Sequence, residues 1–185
     1  VPPTSSRRRL VAACFAVATL VLVLAASAAS ASPLASTSTS SRGGFAFTAR
    51  DVRGAPAGAV SFAGGGAFDG AGTFAHGGGA FTCTESVGQG PLVGCLAGQG
   101  VRWHTDTALP SSAFRCAGDA LKTATAADDT AVFRATFFRA GDGNAPSFTA
   151  NVIVAGHDIA PDLDGMQNVW IQGVGCANAA TRLGR

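Results

Sequence analysis

From Phe45 to Cys176 the chain alternates apolar and polar residues in short runs, each stopping at Gly, Asp, Asn or Pro after about 8–12 residues. The runs predict strands over Phe45–Arg50, Ala59–Phe68, Thr73–Thr84, Val101–Thr107 and Ala113–Ala117. Further strands are expected over Ala120–Ala126, Thr130–Arg139, Ser147–Ala155 and Asn168–Cys176. Between them lie turn sequences such as Asp69-Gly70-Ala71-Gly72, Ala127-Asp128-Asp129 and Gly141-Asp142-Gly143-Asn144. No helical period of about 3.6 residues runs through this stretch. The pattern therefore predicts an all-β fold, a single antiparallel β-barrel or β-sandwich of about eight or nine strands over 45–177, with a C-terminal tail over 178–185.

Two features of the pattern refine this. The segment Phe62–Cys83 carries GGGAF twice. Phe62 and Phe68 are an even number of residues apart and share a strand face, whereas Phe74 and Phe81 are an odd number apart. A β-bulge at His76-Gly77 would return Phe81 to the face of Phe74, giving a hairpin with paired phenylalanines inward. The last strand is apolar on both faces, with Val169 and Ile171 on one and Trp170 and Val174 on the other. Such a strand needs cover from both sides, either in a sandwich or in a barrel with an exterior element packed on it.

Ahead of this domain stands an export pattern. Arg7-Arg8-Arg9 precedes the apolar stretch Leu10 to Ala26, and Ala29-Ser30-Ala31 follows as a small-residue cleavage site. Residues 1–31 are thus expected as a signal peptide, helical in its apolar part, and 32–44 as a flexible Ser/Thr-rich leader. The apolar stretch falls short of the ~20 residues of a spanning helix, so no membrane partner is expected after cleavage. The address predicted is secreted, either extracellular or at the cell envelope.

Export changes the charge balance. The chain carries a formal +2, and loss of the three leader arginines leaves about −1. With one lysine, Lys122, and no basic run, no nucleic-acid partner is expected. It also changes the cysteines. Cys14 departs with the leader, and Cys83, Cys95, Cys116 and Cys176 remain for an oxidising compartment. Three pairings are open. Cys83–Cys95, closing a short loop, with Cys116–Cys176, pinning the last strand to the middle, is preferred. No C-x-x-C knuckle supports zinc.

Candidate chemistry is thin. His76-Gly77-Gly78-Gly79 matches an oxyanion motif of esterases, but the G-x-S-x-G elbow it serves is absent from the sequence. No dinucleotide fingerprint, P-loop or zinc-protease motif occurs, so no cofactor is expected. Arg102, His104 and Asp106 fall on one strand face, where a carboxylate could orient an imidazole for acid–base work. Asp158, Asp162 and Asp164, the last followed by glycine, offer oxygen ligands for calcium without meeting the EF-hand spacing. Phe62, Phe68, Phe74, Phe81 and Trp103 could line an apolar ligand cavity inside a barrel or fill its core.

The segments GQGPLVGCLAGQGVRWHTDT, FFRAGDGNAPSFTANVIV and DIAPDLDGMQNVWIQGVGC resemble small exported actinobacterial proteins of unassigned function. The Gly/Phe cadence resembles that of dirigent and allene oxide cyclase barrels, which implies an eight-stranded barrel with an apolar cavity. Three functional classes follow. The first is a non-catalytic protein acting at the envelope or on a protein partner. The second is a barrel holding a small apolar ligand, and the third an enzyme using Arg102, His104 and Asp106.

Overall fold

The structure is a computed structural model and describes residues 42–54, 58–118, 120–143 and 145–184. The signal peptide expected over 1–31 lies outside the described residues, as does most of the Ser/Thr-rich leader. The described residues contain no helix. Their strands are β1 (Arg42–Gly54), β2 (Ala59–Asp69), β3 (Ala75–Glu85), β4 (Arg102–Ala108), β5 (Ser111–Phe114) and β6 (Lys122–Thr125). These are followed by β7 (Thr130–Phe138), β8 (Phe148–Ala155), β9 (Val169–Ile171), β10 (Gly175–Ala177) and β11 (Ala180–Gly184).

The strands close on themselves. Antiparallel neighbours run β10-β9-β8-β7-β4-β3-β2-β1, and β1 pairs back onto β10 through Arg53↔Cys176 and Gly54↔Gly175. The result is a ring of eight strands, and β5 with β6 forms a separate hairpin outside it. Closure removes most of the unpaired strand edge that an open sheet would expose.

Three expectations are corrected in detail. No bulge occurs at His76-Gly77: the β2–β3 ladder runs unbroken from Val60↔Cys83 to Phe68↔Ala75, with its irregularity at the other end, by Ala59. The two glycine runs pair with each other instead, as Gly64↔Gly79, Gly65↔Gly78 and Gly66↔Gly77. Phe81 thereby faces inward opposite Phe62, and the odd spacing is absorbed by leaving Phe74 out of the strand. Phe74 sits half-buried in the turn, with the Arg42 guanidinium 4.2 Å from its ring centre. Second, the expected last strand divides at Gln172-Gly173-Val174 into β9 and β10, folded back on each other. Gly173 turns at φ +78°, a left-handed conformation open to glycine. Third, the segment read as a tail supplies β11, which continues along β1 from Thr48↔Ala180 to Gly44↔Gly184.

Inside the ring, Phe45, Phe47, Phe62, Phe68, Phe81, Trp103, Phe133 and Phe137 are all buried. Each ring touches another, with neighbouring centres 4.8 to 6.2 Å apart. The glycine runs make room for this stack. A Cβ on Gly64 would stand 2.5 Å from Trp103 Cζ2, and one on Gly79 would stand 2.8 Å from Trp103 Nε1. The indole therefore lies against bare backbone and donates its N–H to Ala63 O at 2.9 Å.

Outside the ring, Phe114, Cys116, Ala124 and Ala126 pack on Val132, Ile153, Trp170 and Cys176. The β5–β6 hairpin is thus the exterior cover that the two-faced apolar strands require. Two disulfides hold the excursions in place. Cys83–Cys95 closes the loop whose Val87 and Leu92 join the interior core, and Cys116–Cys176 ties the end of the hairpin arm to β10. The fold is a disulfide-bonded, closed antiparallel β-domain.

A candidate binding groove on the outer wall

The residues first considered for chemistry do not assemble into a site. Arg102, His104 and Asp106 stand exposed on the outer face of β4, and the register slips between Thr105 and Thr107, so Asp106 occupies a bulge. No hydrogen bond joins His104 to Asp106 among the described residues. Arg102 and His104 instead roof Phe138: the guanidinium lies 4.6 Å and the imidazole 4.9 Å from its ring centre. Phe138 points outward from β7 yet is only 3% exposed, so the pair serves to cover an apolar ring. Gly77, Gly78 and Gly79 are ladder residues, so no oxyanion hole forms at His76.

The calcium candidates disperse. Asp158 Oδ1 accepts from the amides of Ala160 and Gln167 at 2.9 and 3.1 Å, which pins the connection between β8 and β9. Asp162 pairs with Lys122 Nζ at 2.9 Å, and hydrogen bonding to that ammonium holds its carboxyl below the usual carboxylate range. Asp164 is exposed. Among the described residues no three His, Cys, Asp or Glu side chains converge as metal ligands.

Phe62, Phe68, Phe81 and Trp103 belong to the packed interior stack, and Phe74 lies outside it, so the five do not line a shared cavity. One polar pair had no sequence signal. His157 Nδ1 lies 2.9 Å from Asp129 Oδ2, and Gly156 N donates to Asp129 O at 2.8 Å. Both side chains are about half exposed, and together they fasten the β8–β9 connection to the turn before β7.

The concavity with the chemistry of a binding site lies on the outer wall, beside the Cys116–Cys176 bridge. It is a half-open groove of about 610 Å³ between the hairpin arm, the β9–β10 turn and the tip of the Cys83–Cys95 loop. Its volume falls within the ~300–1,000 Å³ of small-molecule sites. Phe114 and Trp170, a T-shaped pair 6.0 Å apart, contribute to its apolar wall, and Leu121, 66% exposed, stands at its open side. Gln89 and Gln172 bring amide groups, and Arg115 is the one charged residue among the described residues lining it.

The groove is held rigidly for a surface feature. Trp170 Nε1 donates to Arg115 O at 2.9 Å, and the next residue, Cys116, is bonded to Cys176. The arm crosses β1 at Gly54, where a Cβ would come within 3.1 Å of Ala117 N. On the far side Gly173 rests against Gly90 and Pro91, so the loop tip is seated on the β9–β10 turn. In the sequence these positions show no pattern beyond that of strands and turns. Their common wall arises only when the ring closes, and Leu121, an apolar residue on a polar arm, is the one local signal.

Comparisons with protein-family models, with curated proteins and with solved structures return no match for this chain.

Proposed function

We propose that this chain is an exported, non-catalytic binding domain that works at the cell envelope or outside the cell, and that its outer groove is the binding site. The observation that carries the reading is the groove itself: apolar at its wall, furnished with a few polar groups, and braced by a disulfide and an indole hydrogen bond. Preorganised walls of this kind limit the ordering cost of binding. The interior aromatic stack leaves the ring's core to packing, and the Arg102, His104 and Asp106 side chains are not arranged for proton transfer. Two disulfides fit an oxidising compartment, as does the Arg-rich and apolar N-terminal pattern.

The test is a titration with the apolar dye Nile red, following dye emission and quenching of Trp170, in wild type and in Leu121→Glu. Leu121 is exposed, so the substitution leaves the core untouched while placing a charge at the groove mouth. Saturable binding in wild type that the variant loses is the expected result. Equal binding in both would place the dye elsewhere and overturn the groove. A hydrolytic turnover that His104→Ala abolishes would overturn the non-catalytic part.

A further inference from the structure

Resting on that groove reading, we infer that the ligand is a free single-chain amphiphile with one anionic head, its apolar chain lying along Phe114, Trp170 and Leu121 and its head held by Arg115. The charge pattern of the groove carries the inference. Arg115 is exposed and, among the described residues, its guanidinium makes no ion pair or hydrogen bond, and no described residue of the lining carries a carboxylate.

Several surface arginines are engaged, whereas Arg50, Arg134 and Arg182 stand exposed away from the groove. Arg53 bonds Asp51 and Glu85, Arg139 bonds Asp142, and Arg42 lies over Phe74. Arg115 differs in lining the groove from a fixed backbone, held through the Trp170 hydrogen bond to its carbonyl and the disulfide at the next residue. A guanidinium carried on that backbone beside an apolar trough suits a carboxylate or sulfonate, which it binds through two parallel N–H groups. The Gln89 and Gln172 amides can donate to the same head or to a polar group near it. A neutral apolar ligand would leave the guanidinium without a use, and a cationic one would meet repulsion.

The experiment uses the full chain at pH 8 and displaces Nile red with decanoate, and separately with decanol, in wild type, Arg115→Gln and Leu121→Glu. Thermal midpoints confirm that each variant is folded. The expected result is that Arg115→Gln weakens decanoate at least tenfold while decanol changes less than twofold, and that added salt weakens decanoate in wild type alone. Decanoate binding unchanged by Arg115→Gln, or both ligands weakened alike, overturns the anionic head while leaving the groove in place. Failure of both ligands to displace the dye from wild type overturns the head and the groove together. Vesicles of phosphatidylglycerol form the counter-arm: co-sedimentation that depends on Arg115 would assign the anion to a bilayer and overturn the free amphiphile.

Discussion

Asn168 holds the end of the ring where β9 begins and β10 gives way to β11, and its removal should be costly out of proportion to its size. The side chain is 1% exposed. Its Oδ1 accepts from Ala179 N at 2.8 Å, and its Nδ2 donates to Ala179 O at 3.0 Å and to Thr181 Oγ1 at 3.3 Å. The amide thus stands in for one residue of a strand, pairing both polar groups of a residue that is itself 6% exposed. Asn168→Ala leaves those two backbone groups unpaired, at about 1–3 kcal/mol each, so a loss of about 2–6 kcal/mol is expected. Against a total of about 5–15 kcal/mol for a domain, that is a large fraction. Asn168→Asp is the sharper probe. Its carboxylate can still accept from Ala179 N but meets Ala179 O without a proton to give. Folding then favours the protonated form, so the penalty is full at neutral pH and shrinks as pH falls through the raised folded-state value towards the ordinary ~3.9. Urea unfolding followed by tryptophan emission at pH 7 and pH 4.5 measures both variants. Losses under about 0.5 kcal/mol for Asn168→Ala, or a pH-independent penalty for Asn168→Asp, would refute the claim that this amide completes the ladder.

Asp69 closes the β2–β3 turn. Burial alone would raise its pKa, but hydrogen bonds from the Thr73 hydroxyl and from the amides of Thr73, Phe74 and Gly72 outweigh that and lower it. Its stabilising contribution is therefore present above the unfolded value of ~3.9 and lost as pH falls through the lowered folded value, so acid unfolding of Asp69→Asn should show a shallower pH slope than wild type. Gly79→Ala would press a methyl to 2.8 Å from the Trp103 ring nitrogen and against the β2 backbone, and should cost about 1–3 kcal/mol or more by denaturant titration. Gly184→Ala meets nothing within 4 Å and should be neutral in the same assay. The two bridges should rank by the chain they enclose. Replacing Cys116 and Cys176 by serine, 60 residues apart, is expected to cost about 4 kcal/mol, and replacing Cys83 and Cys95, 12 apart, about 3 kcal/mol. A reversal of that order in thermal midpoints would show that the short bridge acts through the loop packing it enforces.

The period-two pattern marked the strand segments because burial on one face writes itself directly into alternate residues. The alternation Phe148, Ala150, Val152, Val154 is such a case, and all four face the interior core. Register is a different quantity. The spacing of Phe74 and Phe81 was consistent with a bulge or with one phenylalanine leaving the strand, and only the mutual pairing of the two glycine runs decides between them. The short strands β9, β10 and β11 were illegible for a related reason. Their bounds depend on Gly173, on Asn168 and on where β1 ends, none of which a local window contains. The groove is the extreme case, since Gln89, Arg115 and Gln172 meet only through closure of the whole ring. Arg102, His104 and Asp106 all stand exposed on β4. Their chemistry was not legible, because whether a face holds a reaction or a roof depends on its neighbour, here Phe138.

The same glycine pairing that shapes the hairpin also bears on the proposed binding site. With bare backbone at Gly64 and Gly79, Trp103 sinks onto the wall and reaches Phe47, Phe62 and Phe133 at 5.9, 5.0 and 5.7 Å between centres. An indole held higher by side chains at those two positions would part these contacts and open the centre of the ring. With the interior filled in this way, the proposed recognition falls to excursions from the ring, among them the loop after β3, the arm between β5 and β6, and the connection after β8. The first two meet at the β9–β10 turn, and both are tied down by disulfides, one within the loop and one from arm to strand. A ring with a closed core and two cross-linked excursions converging on one outer hollow has spent its rigidity at that hollow. Breaking the Cys116–Cys176 bridge should therefore weaken Nile red binding more than breaking Cys83–Cys95, even in variants matched for stability by temperature, because only the former carries the wall on which Phe114 and Arg115 stand.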